Sequence, residues 1–131
     1  MELGMESLEK SVMAMLLAGD DAVLGILRQQ FDASWIANRE FSGAGFFTTY
    51  GVPAASPLTP SKRNFSFGDV GAVMDGVRDG VGFVLHVKDG LISCLEGYTY
   101  DEPWPETISS FSLSYLTGDK RDMGALCKKW T

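Results

Sequence analysis

Three charged side chains and one imidazole offer this sequence its chemistry: Arg39 and Glu40, adjacent in "ANREFSGAGFF", then His86 and Glu96 in "GFVLHVKDGLISCLEGYTY". Neighbouring residues of a strand point to opposite faces, so either Arg39 or Glu40 must face the apolar side of a half-buried sheet. A carboxylate among apolar neighbours is costly unless it is paired or hydrogen-bonded. Glu96 in such a place is therefore either an acid–base or binding carboxylate or a structural one, held by an arginine or a tyrosine hydroxyl. Arg39 is the expected partner, as a buried ion pair or as a clamp for a ligand carboxylate. His86 is the sole histidine, so a Ser or Cys nucleophile could take only this residue as its base. No glycine-framed nucleophile elbow accompanies it, and Ser93 beside it falls mid-strand rather than on a strained turn. The expected role of His86 is that of a polar residue at the surface or under a helix.

Residues 95–105, "LEGYTYDEPWP", gather three aromatics, three acids and two prolines. Tyr98, Tyr100 and Trp104 combine large apolar area with a polar handle, which suits an interface. Pro103 and Pro105 stiffen the backbone, so little entropy is lost on engagement. The competing role is that of a cap on the end of the sheet. Candidate ligand- or partner-binding residues are thus Arg39, Glu40, Glu96, Tyr98, Tyr100 and Trp104, with no catalytic residue assigned.

These residues need a scaffold to hold them. Met5, Leu8, Val12, Met15 and Leu16 recur at three- and four-residue spacing and predict a helix over 6–17. Gly19 stops it, and Asp20 is placed to cap a second helix running to about Phe31. Strand patterns occupy 34–42, 45–52, 69–77, 81–88, 91–100 and 109–116. Pro53, Pro57 and Pro60 make 53–64 an exposed connection or flap. Asp89-Gly90 predicts a tight hairpin turn, which sets Leu85 opposite Cys94, Phe83 opposite Glu96 and Val81 opposite Tyr98. Val81, Phe83, Leu85, Val87, Ile92 and Cys94 then form one apolar face with Glu96 in its midst, and Val81, Phe83, Leu85, Ile92 and Phe46 form a core under the helices. The expected fold is a single α+β domain over 1–131. A helical hairpin (1–33) packs on one face of an antiparallel sheet of five to six strands (34–116), and a basic tail (117–131) with a possible short helix is solvated or loosely docked.

Composition narrows the function. The 131 residues carry a net charge of −6, which disfavours nucleic acid and anionic membranes as partners. No run of about 18 apolar residues offers a bilayer span. The acidic start, "MELGMESLEK", is the opposite of a signal peptide, so a cytoplasmic protein is expected. Cys94 and Cys127 lack C-x-x-C spacing, and the carboxylates lack ligand spacing, so neither metal nor cofactor is expected. The glycines of "SGAGF" and "FGDVGAVMDGVRDGVG" precede strands rather than a helix, which removes the geometry of a phosphate loop.

"REFSGAGFFTTYGVP" (39–53) and "GFVLHVKDGLISCLEGYTYDEPWP" (82–105) resemble a group of small uncharacterised bacterial proteins sharing R-E-F-x-G-x-G-F-F-T and L-E-G-Y-T-Y…W-P patterns. The resemblance implies a compact bacterial domain and transfers no catalytic residue. The leading expectation is a non-enzymatic binding or interaction domain, immunity-like in size and charge, that takes a protein partner, a small ligand or a second copy of itself. The alternative is a small hydrolase or isomerase using Glu96 or Glu40 as general base in a cavity between helices and sheet.

Overall fold

The computed structural model describes residues 4–131; the acidic opening of the chain, residues 1–3, lies outside the described residues. Helix α1 (Met5–Leu16) buries Leu8, Val12, Met13 and Leu16 on one stripe, and Glu9 lies on that same buried stripe. Helix α2 (Ala22–Asp32) begins one residue later than the capping pattern suggests. Asp21, not Asp20, is its cap, accepting from the amides of Val23 (2.9 Å) and Leu24 (3.3 Å). The two helices lie on one face of a seven-stranded antiparallel sheet, giving the α+β architecture.

The strands are β1 (Trp35–Phe41), β2 (Gly45–Gly51), β3 (Phe65–Phe67), β4 (Val70–Met74), β5 (Val81–Lys88), β6 (Leu91–Thr99) and β7 (Phe111–Tyr115). Their order is β1-β2-β6-β5-β4-β7, and β3 pairs with β5 in addition. The strand beyond the expected six is β3, whose three residues are too few to show a period. All of Val81, Phe83, Leu85, Ile92 and Phe46 are buried in one cluster with Leu8, Val12, Leu24 and Leu27. The core expected from the alternating pattern is therefore present.

The 53–64 stretch is largely exposed, as expected of this connection, and Gln30 anchors it. Buried Gln30 donates to the carbonyls of Pro57 (2.7 Å) and Gly90 (2.9 Å) and accepts from the Ile92 amide (2.8 Å). Thr59 in this stretch is also buried. A primary amide has donors and an acceptor to spend, so one side chain satisfies two buried backbone groups and one part-buried one.

The basic tail is docked, not solvated. Trp130 is buried against Phe65 and Phe67, with ring centroids 5.6 and 5.3 Å away. Arg121 binds both oxygens of Asp69 (2.7 and 2.9 Å) and the carbonyls of Leu16 (2.7 Å) and Ala18 (2.6 Å). It thereby closes the C-terminal end of α1, where carbonyls lack helical partners. The short helix α3 (Met123–Cys127) presents Leu126 to the core. Among the described residues no helix is long and apolar enough to cross a membrane.

Candidate functional site

The β5–β6 hairpin decides which residues can act together. Asp89 and Gly90 both take positive φ (54° and 81°), the geometry of a two-residue turn, so Val87 opposes Ile92 as the turn requires. The register then slips. His86 opposes Cys94, leaving Ser93 as the extra residue of a β-bulge, and from there Leu85 opposes Leu95, Val84 opposes Glu96 and Phe83 opposes Gly97. A one-residue slip exchanges the faces of all the side chains beyond it. Glu96 and Cys94 are consequently not on the apolar face with Phe83 and Leu85; both lie on the sheet face away from the helices. Leu95 takes the core position and is fully buried. A signal for this exists in the sequence: Ile92 and Leu95 are both large aliphatics three residues apart, and no unbroken strand puts both on one face.

The face turned away from the helices is crossed by two rows of opposed residues. One row runs Glu40, Phe47, Glu96, Val84 over β1, β2, β6 and β5. The next runs Asn38, Thr49, Cys94, His86, Ser66 and reaches β3. Beyond the first row Tyr98 lies between Gly45 and Gly82. A Cβ on Gly82 would overlap the Tyr98 ring, so the bare backbone there gives the tyrosine its bed. Tyr100 meets Tyr98 edge-on at 5.5 Å and is exposed at the end of the face. Trp35 covers Gly51 in the same manner. Burial raises the Tyr98 hydroxyl's pKa, and its bond with Tyr100 adds to this.

His86 links the rows. Its Nδ1 lies 2.7 Å from Ser66 Oγ and its Nε2 3.0 Å from Glu96 Oε1. The order hydroxyl, imidazole, carboxylate is that of an acyl-transfer relay. The setting differs from one. Side-chain exposures of 38% for His86 and 30% for Glu96 leave the imidazole and the carboxylate in contact with water, whereas such a relay works through a buried, preorganised orienting acid. Cys94 beside it is a poor nucleophile, since burial pushes its thiol up, and the Glu96 charge adds to the shift.

Arg39 and Trp104 lie elsewhere. Arg39 shares the helix-side face and pairs with Glu9 rather than Glu96. Its Nε reaches Glu9 Oε2 at 3.0 Å and its Nη2 reaches Oε1 at 2.5 Å, and the Thr48 hydroxyl donates to the same carboxylate. The expected Arg39–Glu96 pair is ruled out by the bulge, which sets the two on opposite faces. The bidentate bond to Glu9 raises the Arg39 pKa further against the effect of its partial burial. Trp104 belongs to the core, edge-on to Phe46 at 5.0 Å, with its amide bound to the Gly43 carbonyl at 2.7 Å. The prolines around it therefore end the sheet, as the capping role of 95–105 requires, while Tyr98 and Tyr100 remain at the surface.

Glu9 is absent from the sequence-derived candidates. Its position on the stripe, one residue after Leu8 and four before Met13, is the signal that an acid there is held by the fold.

Comparison with protein-family models, with curated proteins and with solved structures gave no match to this chain.

Proposed function

We propose that the chain is a non-enzymatic interaction domain of the bacterial cytoplasm that docks a protein partner on the helix-free face of its sheet. The observation that carries this reading is the composition of that face. An antiparallel sheet with one solvated face ordinarily alternates apolar inward and polar outward. Here outward positions hold Trp35, Phe47, Val84 and Tyr98, and Trp35 and Phe47 are exposed. Clustered exposed aromatics mark a contact surface.

The charges indicate the kind of partner. Glu40 and Glu96 flank Phe47 in one row, and the whole chain carries −6. A basic protein surface with an apolar centre complements this arrangement, in the way small acidic inhibitors meet basic toxins. The enzymatic alternative has less support. The cleft between helices and sheet is lined by neither Glu96 nor Glu40, the general bases that reading names, and its enclosed carboxylate, Glu9, is engaged by Arg39 and Thr48.

The test is affinity capture of proteins from the source cell's extract with four variants. The wild-type chain should retain basic proteins that elute as salt rises. Phe47→Ser, Glu40→Lys and Glu96→Lys should each lose them at least tenfold, and Glu6→Lys, on the exposed side of α1, should not. Retention that is the same in all variants would overturn the reading. So would concentration-dependent dimerisation abolished by the same substitutions, since the occupant would then be a second copy.

A further inference from the structure

A separate cleft lies on the opposite side of the sheet, between the helical hairpin and the β1–β2 edge. Its volume is about 830 Å³, within the range of small-molecule sites. We propose that it binds a neutral, flat organic molecule presenting a carbonyl or amide oxygen.

Three features of the lining point to this class. The first is charge balance. Glu9 and Arg39 neutralise each other at the inner end, and Glu6 and Lys10 pair at 3.3 Å on the rim. Among the described residues Asp32 is the remaining charge of the lining. An anion gains no net attraction from these groups, and a cation finds only the exposed Asp32 unmatched among them.

The second is donor capacity. Arg39 uses Nε and Nη2 on Glu9, and Nη1 has no partner among the described residues. The Tyr50 hydroxyl is fully buried with no hydrogen-bond partner among the described residues. Burial, reinforced by the nearby Glu9 carboxylate, raises its pKa, so it stays a neutral O–H. Tyr50 lines the cleft, and its hydroxyl is screened from solvent there. An unspent buried hydroxyl beside a guanidinium whose charge is already matched favours an uncharged acceptor, which loses less hydration on entry than a carboxylate.

The third is shape. Phe31 stands edge-on to Tyr50 at 5.7 Å with planes 78° apart, and Ile36 shares their face. Two perpendicular rings make a corner that suits a flat molecule.

The experiment is a ¹H–¹⁵N NMR titration of the full chain with benzamide, benzoate and benzylamine, which keep the ring and change the charge. Benzamide should give saturable shifts at Phe31, Ile36 and the Arg39 Nε resonance, with millimolar Kd as befits its size. Benzoate and benzylamine should bind at least threefold more weakly. Tyr50→Phe, which keeps the ring and the fold, should weaken benzamide at least threefold. Absence of saturable shifts up to about 20 mM, tighter binding of either charged analogue, or unchanged benzamide binding by Tyr50→Phe would each overturn the proposal. The cleft and the partner face open on opposite sides of the sheet and meet at Trp35 on the β1 edge, which neither set of variants alters, so neither result bears on the other reading.

Discussion

Replacing Arg39 by Met is expected to cost about 2–3 kcal/mol of stability, whereas replacing Arg39 and Glu9 together costs less than the two single changes added. The reason is burial. Glu9 is 1% exposed and Arg39 28%, so losing the arginine strands a carboxylate inside the protein with, among the described residues, only the Thr48 hydroxyl to hold it. Losing the carboxylate leaves a guanidinium that water can still reach. Glu9→Met should therefore be milder than Arg39→Met, and the double variant, with two flexible apolar chains in place of two charges, should recover part of the loss. Urea unfolding of the four proteins gives the coupling energy. A value above about 1 kcal/mol is expected. Additive effects would mean that the bidentate geometry carries no net energy.

Trp130→Ala should be at least as damaging, at about 3–5 kcal/mol. The indole is 2% exposed and fills the space between Phe65 and Phe67 at the end of the sheet. Little around it can collapse into the void, because the short β3 holds both phenylalanines by pairing with β5. Trp130→Phe should recover much of the loss. An alanine effect below about 1 kcal/mol would mean that the tail does not dock in solution and that Arg121 alone holds the last residues.

Helical stripes and alternating strands are written in the residues themselves, so spacing alone places Leu8, Val12, Phe83 and Leu85 in the core. The Asp89-Gly90 turn is equally legible, because few residue pairs accept two positive φ angles. The register beyond that turn is not. A bulge at Ser93 changes no composition and is betrayed only by the spacing of Ile92 and Leu95. That one residue decides the face of Cys94, Glu96 and Tyr98, and with it the partner of Arg39. The docked tail is hidden for a different reason: four basic residues in 117–131 suggest solvent, while its anchoring rests on Arg121, Leu126 and Trp130, too few to form a pattern. Trp104 is ambiguous between surface and core because an aromatic between prolines satisfies either role.

Four of the six candidate residues, Glu40, Glu96, Tyr98 and Tyr100, nonetheless fall on or beside one face. Their grouping depends on the bulge, since without it Glu96 and Tyr98 would turn inward beneath the helices and the row Glu40, Phe47, Glu96, Val84 would not exist. The most direct measurement is the set of cross-strand backbone nuclear Overhauser effects between β5 and β6. The bulged register requires contacts of Val84 with Glu96 and of His86 with Cys94. Contacts of Phe83 with Glu96 and of Leu85 with Cys94 would contradict it, restoring the unbulged hairpin and removing the surface on which the partner is proposed to dock.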